Sequence, residues 1–331
     1  MTAAANTAKD TTVSAPGKLF LIGEYAVLQG HQAVVAAVDR RVTARFVPGA
    51  APATPLAAHV IAAVRAYLLA DGGTPPDGAP EMDSSALASG DNKLGLGSSA
   101  AAAAAGVGAM LEAAGCEIEY TLGLAMTLAH RAHFNLQDGV GSGADVAAAV
   151  HGGIIRFARR DRDVEVYPIA LPDSLELIVF STGKPSGTVG HIQALQAFAT
   201  RQPGQYLERM QGLCTAADEF MHGCESEDAR IVVKAAALAG AELAALGRGM
   251  DLAIVTPVFE EAARLAASLG GAAKPSGAGG GDVGVAFLTD QGAAETFRQR
   301  APQLGLEILS IRTGADGLRR EPSGQERNEV E

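Results

Sequence analysis

Tryptophan is absent from this sequence, aromatic residues make up only 5% of it, and cysteine occurs three times. Cys116, Cys214 and Cys224 are odd in number and match no metal-ligand spacing, so neither a disulfide framework nor a thiolate metal centre is expected. Cations are also short: 26 lysines and arginines against 37 acidic residues leave a net charge of −11. That balance excludes the basic footprint of a nucleic-acid or anionic-membrane partner. It does not exclude a small anionic substrate, which needs only local cations. No apolar run reaches the ~18 residues of a membrane span and no secretory leader precedes the first strand. A cytoplasmic protein, monomer or homodimer, is the expectation. What the chain does have is length (331 residues), 48% hydrophobic residues and 40 glycines, enough for about two tightly turned domains.

The most informative stretch is Lys93-Leu94-Gly95-Leu96-Gly97-Ser98-Ser99-Ala100, continued by alanine to Ala105. Alternate glycines permit a turn that side chains would block. Two serines stand where a helix begins, and alanine follows as the best helix former. The product is a bend that aims free N–H groups and a positive dipole end at one spot, a phosphate cradle. Its hydroxyls can reach a phosphate-bound Mg²⁺. A plain serine-capped turn is the bland alternative. The order of lysine and glycines differs from a Walker A loop, and this stretch does not read GxGxxG.

Along the chain, Met1–Thr12 reads as a frayed terminus. A turn at Pro16-Gly17 leads into a strand over Lys18–Ile22, with further strands at Gln32–Val38 and Arg41–Val47 and a helix over Pro55–Ala70. Asp71–Asn92 has no periodicity and reads as a long loop, either a lid or a solvated insertion. Helices follow at Ser98–Ala114 and Tyr120–Leu136. Asp145 falls in the first turn of another helix, opened by Gly141-Ser142-Gly143, where it either answers the helix dipole or acts in chemistry. Ile154–Ala158 and Val164–Ile169 pattern as a hairpin, and Leu175–Ser181 as a strand ending in Thr182-Gly183-Lys184-Pro185-Ser186. Helical patterns occupy Gln205–His222, Ser226–Leu246 and Pro257–Leu269. The glycine loop Ser276-Gly277-Ala278-Gly279-Gly280-Gly281-Asp282 runs into a strand, and Gln291–Arg300 and Gly305–Arg312 close the fold as helix and strand. This order suits an α+β arrangement with helices on one side of an antiparallel sheet. Residues from Thr313 to Glu331 read as a disordered tail.

Three glycine-bearing motifs in this order resemble those of the GHMP kinase superfamily: Ser14–Val27, Gly95–Ala101 and Ser276–Asp282. The resemblance spans about residues 13 to 312. It is strongest toward the bacterial phosphomevalonate kinases, through Lys93, Gly141–Ala149 with Gly152-Gly153, Thr182–Ser186 and Gly279–Asp282. It implies an N-terminal ribosomal-protein-S5-like domain (1–172), a ferredoxin-like C-terminal domain (173–312) and a site between them. Mevalonate kinases, the nearest alternative, place a metal-binding glutamate about 11 residues before the acidic-motif aspartate. Here that zone holds His133 and Phe134. A non-catalytic ligand sensor is the alternative from another class.

The resemblance further implies ATP and Mg²⁺, with Gly95 to Ala100 around the triphosphate and Ser98 or Ser99 on the metal. Lys18, Lys93 and Asp145 are the catalytic candidates. Ser142, Gly143, Lys184, Ser186, Ser276, Gly277, Ala278 and Gly279 join Lys18 as acceptor-binding candidates. A phosphate acceptor has a second pKa of about 6 and needs no base, so Asp145 is expected to hold Lys18 by an ion pair. Lys274 and Arg131 are further candidate cations, and Glu24, Tyr25 and His191 either approach the acceptor or stabilise the fold.

Overall fold

The computed structural model describes residues 11–89, 92–160, 163–184 and 188–322. In chain order these form β1 (Thr12–Ile22), β2 (Ala33–Pro48), α1 (Pro55–Ala70), β3 (Gly78–Asp83), β4 (Ala88–Ser89), β5 (Asn92–Lys93), α2 (Ser98–Ala113), α3 (Ile118–Leu136), α4 (Ala144–His151), β6 (Ile154–Arg160) and β7 (Asp163–Pro168). There follow β8 (Glu176–Ser181), α5 (Thr188–Arg201), α6 (Pro203–Glu225), α7 (Ala229–Met250), α8 (Pro257–Ser268), β9 (Ala272–Pro275), β10 (Val283–Leu288), α9 (Gln291–Arg300), β11 (Glu307–Ile308) and β12 (Arg319–Arg320). An antiparallel sheet of order β12-β1-β2-β6-β7, with β3 also on β2, carries the first half. A four-stranded antiparallel sheet, β11-β8-β10-β9, carries the second.

The first sheet is organised around α2. Ten of that helix's 16 residues are alanine or glycine, so it packs backbone-close, with Ala100, Ala101 and Ala103 to Ala105 fully buried. A Cβ on Gly108 would stand 2.8 Å from Val13 Cγ1 on β1. The same core continues without a break into the second sheet through Val179, Val283 and Phe287 and into α6 through Phe220. The two sheets therefore share an apolar seam, and the polar cleft opens above it.

Several expectations need correction. Pro16-Gly17 is no turn: β1 runs through it, with a register shift between Pro16 and Lys18. The strands expected at 32–38 and 41–47 are one long strand, β2. The stretch from Asp71 to Asn92 is not a structureless lid, because Gly78–Asp83 pairs with β2 from Thr43 to Pro48 and Leu87 is buried. Pro80 is tolerated there because β3 lies at an edge. Nor is the segment after Thr313 disordered as far as Pro322. Thr313 bridges Val38, Asp316 bridges Gly152, and Arg319 and Arg320 pair with Ser14 and Val13. Arg41 fastens this return, donating to the carbonyls of Asp316 and Gly317, each at 2.6 Å.

Candidate active site

The cradle is welded to β1. Lys18 N–H donates to Leu96 O at 2.7 Å, and buried Leu96 anchors the bend from below. Gly95 (φ 69°) and Gly97 (φ 76°) are both left-handed, a backbone that L side chains adopt at a cost. A Cβ on Gly97 would lie 2.7 Å from Lys18 Cγ, and one on Gly95 would lie 2.5 Å from Asp282 Cβ. Both glycines are thus required by what stands beside them. Gly97 caps α2 without a side-chain bond, leaving the first-turn N–H groups of Ser98, Ser99 and Ala100 without intrahelical partners.

Lys18 is buried, and its ammonium donates to Gly95 O at 3.2 Å and lies 5.5 Å from the centre of the Phe20 ring. Burial pushes its pKa below the ordinary 10.5, against the opposing pull of Asp145, Asp282 and Glu24. The expected direct ion pair with Asp145 is not what forms. The carboxylate of Asp145 accepts from Val146 N–H at 2.9 Å and stands 3.9 Å from His133 Nδ1. In the first turn of α4 it makes no ion pair with Lys18 and acts on that cation through space.

Below the cradle opens a cleft lined by Lys18, Phe20, Glu24, Ser142, Asp145 and His191, with Gly277 and Ala278 on the opposite wall. Its outer end continues past Gly141 and Ser142 to Arg159 and Arg160 on β6. Arg159 Nη1 lies 2.7 Å from His130 Nε2. Burial, with the arginine beside it, holds the His130 imidazole at about 4, so it is a neutral acceptor. Sequence reasoning missed both arginines; the only signal was a basic pair at the end of a strand. Gly143 must be glycine, since a Cβ there would stand 2.3 Å from His130 Cδ2.

The third motif closes the cleft. Tyr25 Oη donates to Ala278 O at 2.6 Å. Glu24 and Lys274 form an ion pair in which both residues are buried, Lys274 at 1% exposure. Lys274 is therefore not a substrate cation: it is spent on Glu24 and on Pro275 O at 3.0 Å. Lys93 and Lys184 are both exposed and neither lines the cleft. Arg131 is exposed as well, and Ser186 lies outside the described residues.

The donor set suits a nucleotide with a hard cation. Hydroxyls (Ser98, Ser99) and a carboxylate (Asp145) are the oxygen ligands that Mg²⁺ prefers. Buried Ser276 Oγ and Glu24 Oε2 have no hydrogen-bond partner, as expected of atoms that face a ligand. Among the described residues no helix is long and apolar enough to cross a membrane.

Comparison with known proteins agrees with this geometry. The chain matches the GHMP kinases N terminal domain over residues 58–153 and the GHMP kinases C terminal domain over 220–305. It is 30% identical to the phosphomevalonate kinase of Streptomyces sp. (strain CL190), covering 92% of this chain and 97% of that one. Among solved structures it is similar to the Lin0012 protein from Listeria innocua (TM-score 0.86, 24% identity, 95% and 99% of the two chains). It is likewise similar to Streptococcus pneumoniae phosphomevalonate kinase in complex with phosphomevalonate and AMPPNP (TM-score 0.79, 20% identity, 91% and 99%).

Proposed function

The chain belongs to the GHMP kinase family, and on that footing we propose that it transfers the terminal phosphoryl group of ATP to the phosphate of phosphomevalonate. One observation carries the reading. Lys18 is buried between the open N-terminus of α2 and a cleft that ends in Arg159 and Arg160. Cations thus stand at both ends of the space an anionic acceptor would fill.

When bound, ATP supplies the phosphoryl group, and Mg²⁺ neutralises its oxygens. The work left to the chain is placement and charge. Two unit charges 4 Å apart repel by about 1 kcal/mol in water and about 4 kcal/mol near a protein surface, and here each partner carries more than one charge. The free N–H groups of Ser98, Ser99 and Ala100 would hold the triphosphate, and the Ser98, Ser99 and Asp145 oxygens the cation. Lys18, desolvated and fixed on Gly95 O, would offset charge where the two phosphates meet. Asp145 would keep Lys18 protonated without contact, and no proton need leave the acceptor, already mostly a dianion near neutral pH. Arg159 would receive the acceptor's carboxylate, a bidentate match, while Ser276, Gly277, Ala278 and Gly279 form the facing wall.

The test is ADP release with each acceptor in turn. Phosphomevalonate is expected to drive turnover and mevalonate to give little. A kcat/KM for mevalonate equal to or above that for phosphomevalonate would overturn the proposal, as would nucleotide binding with no ADP release on either acceptor.

A further inference from the structure

Three elements meet at one imidazole ring. His133 sits on α3 at 3% exposure, with Nε2 3.0 Å from Ser99 Oγ in the first turn of α2 and Nδ1 3.9 Å from Asp145 Oδ2 in the first turn of α4. A carboxylate facing Nδ1 favours the tautomer that carries its proton there. Nε2 is then the acceptor, the Ser99 O–H donates to it, and the remaining lone pairs of Oγ turn toward the open end of α2.

We propose that His133 is a positioning residue that fixes the Ser99 hydroxyl oxygen as a ligand for the divalent cation accompanying the nucleotide. The proposal rests on the kinase reading but not on the identity of the acceptor. Among the described residues no group of three or more His, Cys, Asp or Glu gathers as a metal site. The chain's share of the cation therefore falls on a few oxygens whose aim matters individually. Removing the partner that orients such a ligand typically costs about 10–100-fold in metal affinity. A ring that merely filled space would be replaceable by phenylalanine without that cost.

Calorimetric titration of AMPPNP into the full chain, with Mg²⁺ and with EDTA, separates these roles. His133→Phe keeps the ring and removes the acceptor. It is expected to weaken binding of the magnesium complex about tenfold and to leave metal-free binding unchanged. His133→Gln, whose amide oxygen can accept from Ser99, should recover most of the loss, and adding Ser99→Ala to His133→Phe should cost little more. Should the phenylalanine variant fail to fold, His133→Asn, too short to reach Ser99, takes its place against His133→Gln. Wild-type affinity in the acceptor-less variant would overturn the proposal, as would equal losses with and without Mg²⁺, or fully additive effects of the two substitutions. With only nucleotide and cation titrated, a wrong acceptor assignment leaves these results untouched. Failure of the unsubstituted chain to bind nucleotide at all would overturn this proposal and the kinase reading together.

Discussion

At Lys18 desolvation and three carboxylates oppose each other, and desolvation wins, leaving the pKa below 10.5. An ammonium so placed binds anions strongly, because folding has already stripped it of the water that an incoming anion would otherwise have to displace. Its usefulness is lost when it deprotonates, so kcat/KM should fall on the alkaline side at a lower pH than an ordinary lysine would give. Asp145 is the largest of the three opposing charges. Asp145→Asn is expected to move that alkaline limb to still lower pH, while the acid limb, set by the acceptor's own ionisation near ~6, stays in place. A pH–rate series on both forms checks this; disappearance of the acid limb in the variant would identify Asp145 as a base instead. That Lys18 and Asp145 would lie near one another, as they do in lining the cleft, was readable from their motifs. That they do not touch was not, because the hydrogen bond that turns the Asp145 carboxylate onto Val146 N–H is a rotamer choice invisible in the chain. Lys274 misled for a similar reason: a lysine beside a glycine loop looks available until its buried partner, 250 positions away, is seen.

Among the elements, α3 does more than its amphipathic pattern announces. It delivers His133 to the cradle and, one turn earlier, His130 to Arg159. His130 is neutral in the fold, with a pKa of about 4 against an ordinary 6.5. Between those values the unfolded chain takes up a proton that the folded chain refuses, so stability should fall as pH is lowered through this window. Thermal melts from pH 7 to 4 should show that decline, and His130→Gln, which keeps an acceptor for Arg159 but does not titrate, should flatten it. An unchanged slope in the variant would rule His130 out as the cause. The helices and glycine motifs were legible because spacing and positive φ leave marks in sequence. The edge strand β3 was not: Gly-Ala-Pro-Glu-Met-Asp has no β-branched residue, and it is a strand because β2 offers it a hydrogen-bonding edge. The bulge in β1 was likewise mistaken for a turn, since Pro-Gly serves both.

For the molecule as a whole, what joins the two sheets beyond their apolar seam is polar and buried. Glu24 and Tyr25, after β1, grip Lys274 just before the third motif and Ala278 within it. Breaking one partner strands a charge in the interior, so Glu24→Gln should cost about 3–5 kcal/mol, measured by denaturant unfolding. The apolar pair Glu24→Leu with Lys274→Met should lose much less, and equal losses in the two would argue against a stranded charge. The return of β12 to β1 has a different kind of consequence. Val13 emerges from the ribosome roughly three hundred residues before Arg320, its partner. Throughout that interval the outer side of β1 lacks its neighbour, and the nascent first half must wait, incomplete, for the last strand to be translated.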